Sequence, residues 1–96
     1  MTERTKTGFA PAWKEEDDYW RTHYSTRPYV QGEPYDMLQP GYRYGFDAAT
    51  RYGGRDWNDV EPELESEWDR YKYKGESTWY QVKHAVRDAW ARITGR

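Results

Sequence analysis

Two histidines are the only side chains in this 96-residue sequence whose ordinary pKa lies near neutral pH, so they are the first candidates for acid–base chemistry. His84 is followed one helical turn later by Asp88, a spacing that could orient an imidazole. No serine lies beside this pair, and Gln81 stands where a di-iron helix bundle needs a glutamate. We therefore expect His84 and Asp88 to form an exposed polar pair.

The other histidine, His23, lies near Tyr19 and Trp20 on the first predicted helix. It could act as a general base or a metal ligand, but we favour a polar residue at the helix edge that is hydrogen-bonded to a neighbour. The sequence has no cysteine, which removes thiolate catalysis, disulfides and cysteine-based metal sites. We expect a protein that is not an enzyme and uses no cofactor or metal. An enzyme or metal protein centred on His23 or His84 is the third functional hypothesis.

Charge is segregated along the C-terminal half of the chain. Residues 56–69 contain seven acids and no base, namely Asp56, Asp59, Glu61, Glu63, Glu65, Glu67 and Asp69. They lack the spacing of an EF-hand loop, so we interpret them as a solvated helix face, with a docking surface or loose divalent-cation binding as alternatives. Residues 72–96 carry six bases against two acids. The acidic and basic segments could pair within one chain or between two copies of a homodimer.

Arginine, tyrosine and glycine alternate in residues 39–57, as they do in segments that bind single-stranded nucleic acid. Four of these residues are the candidates for partner binding: Arg43, Tyr44, Arg51 and Arg55. The net charge of -2 provides no overall field that attracts nucleic acid or anionic membrane. A nucleic-acid-binding module is therefore the second hypothesis, and carbohydrate binding on an exposed ring is a further alternative.

Composition indicates how these residues are positioned. A mean hydropathy of -1.37 and 33% charged residues are typical of disorder, whereas 19% aromatic residues, including six Trp and ten Tyr, are not. We therefore expect a single helical domain over residues 11–96, with an aromatic core and a flexible segment at residues 1–10. The predicted core is Trp20, Tyr42, Gly45, Phe46, Trp57, Leu64, Trp68, Trp79, Val86 and Trp90.

The first predicted helix begins at Pro11 and places Trp13, Trp20 and Tyr24 on one face. Three prolines and two glycines in residues 25–41 predict a long ordered loop between the first and second helices.

The second predicted helix begins at Pro40 and ends at Gly53 and Gly54 through a left-handed residue. Its inward face is Tyr42, Gly45, Phe46, Ala49 and Tyr52. Gly45 in mid-helix predicts a close approach by another backbone or ring.

The outward side of this second helix carries Tyr44 and a row of charges. Arg43, Asp47 and Arg51 follow one another at steps of four residues and are predicted to form an ion-pair ladder.

Asp56 is predicted to cap a short turn before a third helix, which begins at Pro62 and ends at Gly75. The buried stripe of this helix is Leu64, Trp68 and Tyr71.

The fourth helix has the clearest pattern. Ser77 or Thr78 caps it, with Gln81 completing a capping box if Thr78 is the cap, and Gly95 follows its end. Its apolar face is Trp79, Val82, Val86, Trp90 and Ile93. The sequence therefore predicts an all-α fold, a compact bundle of about four short helices.

The order of the segments YWRTHY, RPYVQGEPYD, PGYRYGFDAA, RYGGRDWNDVEPELESEW and TWYQVKHAVRDAW resembles a family of small uncharacterised bacterial proteins and modules. The resemblance covers about residues 13–93 and is most specific in the YRYG…GRDW…EPEL…W arrangement. It implies a loose association with stress response, and it carries over no catalytic residue, cofactor or substrate.

No apolar signal-peptide core is found at the start of the sequence, and no apolar run approaches the roughly 20 residues that span a bilayer. We expect a soluble, cytoplasmic protein with no membrane contact. The first functional hypothesis is a non-enzymatic interaction or structural module in bacterial stress physiology, whose partner is a protein, including a second copy of itself.

Overall fold

A computed structural model describes residues 12–95, and within this range it contains four α-helices and no strand. The helices are α1 (Trp13–His23), α2 (Tyr35–Tyr52), α3 (Trp57–Glu67) and α4 (Trp79–Thr94). Single 3₁₀ turns, Tyr24–Thr26 and Trp68–Arg70, follow α1 and α3. The all-α prediction is confirmed. The predicted flexible segment at residues 1–10 and the helix start at Pro11 lie outside the described residues.

The closest packing in the fold joins α2 to α4. A Cβ built on Gly45 would lie 2.1 Å from the carbonyl oxygen of Val86, and one built on Gly41 would lie 2.6 Å from the Cβ of Val82. Glycine at these two positions therefore lets the backbone of α2 approach α4 closely. The close approach predicted at Gly45 is confirmed, and its partner is the α4 backbone.

Two clusters of aromatic and small residues form the core. One lies between α1, α2 and α4, where the rings of Trp20 and Tyr42 stack with centroids 4.4 Å apart. The other lies between α2, α3 and α4 and includes Trp57, Trp68 and Trp90. Every residue of the predicted core is buried, so the aromatic core is confirmed.

The second helix begins at Tyr35, so the prediction that it starts at Pro40 is wrong. The preceding connection is residues 24–34, which is shorter than the predicted loop over residues 25–41 and includes a 3₁₀ turn. Tyr35 and Leu38 are buried in the added first turns of the helix. Their burial offsets the one backbone hydrogen bond that Pro40 cannot donate.

The third helix is likewise longer at its start than predicted. It begins at Trp57, directly after Asp56, and runs through Pro62 to end at Glu67, so both predicted bounds, Pro62 and Gly75, are wrong. Burial of Trp57 and Val60 holds the first turn in place. Asp56 occupies the predicted N-cap position, although its side chain makes no capping hydrogen bond.

The predicted stripe of Leu64, Trp68 and Tyr71 does face the core, but Trp68 and Tyr71 lie beyond the end of α3. The indole Nε1 of Trp68 donates to the carbonyl oxygen of Ser77 at 2.9 Å. This hydrogen bond ties the 3₁₀ turn to the segment that leads into α4, so the chain turns here instead of continuing as a helix.

Local capping signals decide the bounds of α4. The Gln81 backbone N–H donates to the Thr78 hydroxyl at 3.3 Å, and the Thr78 backbone N–H donates to the Gln81 side chain at 2.9 Å, which confirms the capping box. Gly95 ends the helix with a φ of 76°.

The end of α2 differs from the prediction. Gly53 keeps a right-handed φ of -60°, and Gly54 has no positive φ, so the predicted left-handed end of α2 is wrong. A Cβ on Gly53 would lie 2.5 Å from the Ala49 carbonyl oxygen.

The close approach of α2 and α4 predicts a large effect of one methyl group. Gly45→Ala should lower the free energy of unfolding by about 3 kcal/mol, the upper end of overpacking costs, because the obstacle is a backbone carbonyl. Gly54→Ala is the matched control, since a Cβ there meets no atom within 4 Å, and it should change stability by less than about 1 kcal/mol. Urea unfolding measures both values, and equal effects would contradict the packing described here.

Candidate functional site

His23 lies at the exposed edge of α1. Its Nδ1 is 2.7 Å from the carbonyl oxygen of Tyr19, and its ring stacks on the Tyr19 ring with centroids 4.2 Å apart. This is the arrangement predicted for a polar edge residue that is hydrogen-bonded to a neighbour.

Asp88 does not pair with His84, so the predicted His–Asp pair is wrong. Arg27 binds the Asp88 carboxylate through Nε at 2.7 Å and Nη2 at 3.2 Å, and the Tyr29 hydroxyl donates to the same carboxylate at 2.5 Å. The side chain of Asp88 is therefore taken up by the connection between α1 and α2. His84 is exposed and stacks beside the Tyr29 ring at 5.4 Å.

The same carboxylate stabilises the neutral form of a tyrosine. Burial raises the pKa of Tyr29 far above its ordinary value, and the hydrogen bond to Asp88 raises the pKa further. Tyr29 therefore remains a hydrogen-bond donor at physiological pH. Its hydroxyl also lies 2.8 Å from the hydroxyl of Tyr42 in the core. This network is structural, because its members bind one another.

A second long-range ion pair fixes α1 on α4. Arg92 donates through Nε to the carboxylate of Glu16 at 2.9 Å, and Glu16 is buried. The guanidinium also lies 3.5 Å from the centroid of the Tyr19 ring.

The predicted ladder of Arg43, Asp47 and Arg51 is wrong. Neither arginine forms an ion pair with Asp47 in the part of the chain that the structure describes, and Asp47 instead accepts a hydrogen bond from the Tyr71 hydroxyl at 2.7 Å. The segment after α3 brings Tyr71 against α2, where it reaches Asp47.

Arg43 lies among aromatic rings. Its guanidinium carbon is 3.9 Å from the centroid of the Tyr73 ring and 5.7 Å from that of Trp13. Its Nε is buried and has no hydrogen-bond partner among the described residues. Packing on rings thus positions this side chain.

Two other predicted partner-binding residues lie together. The guanidinium carbons of Arg51 and Arg55 are 5.7 Å and 5.5 Å from the centroid of the Tyr52 ring, which is half-buried. Arg55 also forms a two-point ion pair with Glu63 at 2.8 Å and 3.3 Å. The hydrogen bonds from Arg55 lower the pKa of the Glu63 carboxyl below its ordinary value.

Tyr44, the fourth predicted partner-binding residue, is not outward-facing. Its side chain is only 7% exposed, and its hydroxyl donates to the carbonyl oxygen of Leu64 at 2.8 Å. Its ring lies against Trp68 with centroids 5.0 Å apart. The prediction gave α2 one buried face, but α3 and the turn that follows cover a second side of this helix.

The outward side of α4 carries a surface that the sequence analysis identified only as part of the basic segment, residues 72–96. We call it the basic face, and it consists of Tyr80, Lys83, His84 and Arg87. Tyr80 is 77% exposed, and the Lys83 ammonium lies 5.6 Å from the centroid of its ring. Neither Lys83 nor Arg87 forms an ion pair with another residue of the range 12–95. The spacing i, i+3, i+4 and i+7, opposite the apolar face, would have revealed this surface.

The solvent side of α3 carries the opposite charge. We call it the acidic surface, and it consists of the exposed residues Asp59, Glu63, Glu65 and Glu67. Among the described residues, Glu63 pairs with Arg55 and no ion pair joins residues 56–69 to residues 72–95. The acidic and basic segments therefore do not neutralise each other within this part of the chain.

An open cleft of about 200 Å³ lies between the start of α3 and Arg87 of α4. Its lining is Asp56, Trp57, Asn58, Arg87 and Trp90. The guanidinium of Arg87 lies 5.8 Å from the centroid of the Trp57 ring. Arg87 thus connects the basic face of α4 with the start of α3.

Among residues 12–95, no three His, Asp or Glu side chains are arranged to hold a metal ion. None of the described helices has the length and apolar character needed to cross a bilayer. Comparisons with models of protein families, with curated proteins and with solved structures find no match to this chain. The resemblance to a stress-associated family therefore stays a prediction.

The burial of Tyr44 predicts a loss of stability at alkaline pH. Burial raises the pKa of Tyr44 from 10.0 to about 12, so folding favours its neutral form. The stability due to this shift is fully present below pH 10 and is lost as the pH rises through 12. Its size is at most about 3 kcal/mol.

Urea unfolding at about pH 8 and about pH 12 tests this contribution. Tyr44→Phe should be less stable than the unchanged protein at the lower pH, because it loses the hydrogen bond to Leu64. It should lose less stability than the unchanged protein between the two pH values. An equal loss in both proteins would contradict the burial of this hydroxyl.

Proposed function

We propose that this protein is a non-enzymatic interaction module whose basic face binds an acidic polypeptide surface. The observation that carries the proposal is the row on the outer side of α4, where the half-buried Lys83 and the exposed Arg87 have no ion-pair partner among the described residues. Lys83 also lies beside the exposed ring of Tyr80. Tyrosine and arginine are both enriched in protein interfaces. The chemistry of this row fits a partner that supplies carboxylates.

Repulsion within the row also supports this proposal. Lys83 and Arg87 are four residues apart on one helix, and like charges at this spacing destabilise a helix by a few tenths of a kcal/mol. A carboxylate placed between them would replace this repulsion with two attractions. Tyr80 would supply apolar contact area, since surface ion pairs alone contribute little.

We include a bacterial setting, a role in stress physiology and a cytoplasmic location in the proposal. The first two are supported by the sequence resemblance over about residues 13–93. The cytoplasmic location is supported by the absence of cysteine, because secreted domains of this size are commonly stabilised by disulfides.

Binding of fluorescently labelled poly-L-glutamate, measured by anisotropy at low salt, tests the proposed surface. We expect saturable binding that weakens as salt is added, because screening reduces the attraction of exposed charges. Lys83→Glu combined with Arg87→Glu should raise the Kd at least about tenfold.

The matched control is Lys14→Glu combined with Arg70→Glu, which makes the same change in net charge at exposed sites outside the basic face. It should change the Kd by less than about threefold. Equal weakening in the two double variants would mean that only net charge matters, and it would refute the basic face as a binding site. Circular dichroism must show that both variants fold.

A nucleic-acid-binding module is the second candidate function, because Arg51 and Arg55 flank the Tyr52 ring. A ring between two guanidinium groups is suited to stacking a base beside its phosphates. The burial of Tyr44 weakens this candidate, since one of its predicted contacts is inside the core.

Single-stranded DNA with the same number of charges as the poly-L-glutamate probe distinguishes the two functions. The interaction module predicts tighter binding of poly-L-glutamate than of DNA at low salt. Tighter binding of DNA, weakened by Tyr52→Ala through the loss of about 1–3 kcal/mol of stacking, would favour the second candidate instead.

A further inference from the structure

We infer that the acidic partner of the basic face is the acidic surface of a second copy of this chain, in a two-fold symmetric dimer. This inference rests on the proposed function, because it uses the same basic face and names its occupant. The carboxylates of the occupant would be those of Asp59 and Glu67, since Glu63 on the same stripe already pairs with Arg55.

The charges of the two surfaces complement each other. The other two charged residues of α4 beyond the basic face already have partners, since Asp88 binds Arg27 and Arg92 binds Glu16. The charged side chains on the outer side of α4 that have no ion-pair partner among the described residues are therefore basic. The unpaired charges of α3 are negative. Arg55 neutralises Glu63, but no ion pair within residues 12–95 involves Asp59, Glu65 or Glu67.

The lengths of the two surfaces also match. Asp59 and Glu67 are eight residues apart on α3, which is about 12 Å along the helix axis. Tyr80 and Arg87 are seven residues apart on α4, which is about 10 Å. Asp59, Glu63 and Glu67 therefore form a stripe about as long as the basic face, whereas Glu65 lies on another side of α3.

The position of the start of α3 is compatible with two-fold symmetry. Asn58 at this start lines the same cleft as Arg87 of α4, and a two-fold axis near the cleft would bring the α3 of each copy against the α4 of the other. The contact would then occur twice, with each copy giving one acidic surface and one basic face. Such a symmetric arrangement closes on itself and does not propagate into a filament.

Reversal of the charges followed by mixing tests this arrangement. The first variant, Lys83→Glu with Arg87→Glu, has acidic residues on both surfaces. The second, Asp59→Lys with Glu67→Lys, has reversed charges on the stripe of α3 that carries these two residues and keeps the basic face. Each variant alone should self-associate at least about tenfold more weakly than the unchanged protein in sedimentation equilibrium at low salt.

An equimolar mixture of the two variants should recover dimers. In a mixed dimer the first variant's acidic surface meets the second variant's basic face, and the second variant's reversed α3 meets the first variant's reversed α4. Both contacts therefore join opposite charges. The control Lys14→Glu with Arg70→Glu should change the dimer Kd by less than about threefold, and the unchanged dimer should dissociate more readily at about 0.5 M salt.

The outcomes separate this inference from the proposed function. Recovery of dimers in the mixture supports the paired surfaces. An unchanged protein that is monomeric at low salt, or a dimer that tolerates both reversals, overturns the inference, whereas poly-L-glutamate binding that still depends on Lys83 and Arg87 leaves the proposed function standing. Poly-L-glutamate binding that ignores Lys83 and Arg87 overturns the proposed function itself.

Discussion

The backbones of α2 and α4 touch at Gly41 and Gly45, and this contact determines where the remaining elements can pack. A Cβ at Gly45 would overlap the backbone of α4, so a larger residue there would force the helices apart. Because the two helices are in direct contact, the bulky rings lie on either side of the contact in two clusters. The connection after α1 helps to cover one cluster, and α3 with the turn after it covers the other.

A core built from tyrosine and tryptophan contains buried hydrogen-bond donors that an aliphatic core does not, and one of them, the Trp20 indole Nε1, has no partner among the described residues. The buried Tyr44 hydroxyl is satisfied by a backbone carbonyl, and the Trp68 indole is satisfied in the same way. The Tyr29 and Tyr71 hydroxyls bind carboxylates on α4 and α2. An unpaired hydroxyl buried in such a core would cost about 1–3 kcal/mol. The need for these partners explains why carboxylates that look available for ion pairs in the sequence are engaged by rings instead.

Features set by neighbouring residues could be predicted from the sequence, and features set by distant contacts could not. The capping box of Thr78 and Gln81, the apolar face of α4 and the all-α class follow from local spacing. The helical position of Pro40 depends on burial of side chains from an earlier turn, which outweighs a local rule. Tyr44 shows the same limit for the candidate site, because its burial depends on α3 covering α2.

The charged side chains available to bind another molecule are those that do not pair with distant segments of the fold. Residues that join distant segments, such as Arg27 and Glu16, have their partners fixed by the fold and are not free to bind another molecule. Within residues 12–95, the charged surfaces of α3 and α4 make no such link to each other. Like charges within one surface repel each other, and a covering surface of opposite charge would offset this repulsion. Salt screens both the repulsion and the attraction. The separation of charge into two surfaces of opposite sign is therefore not part of the ion pairs that join distant segments of the described chain.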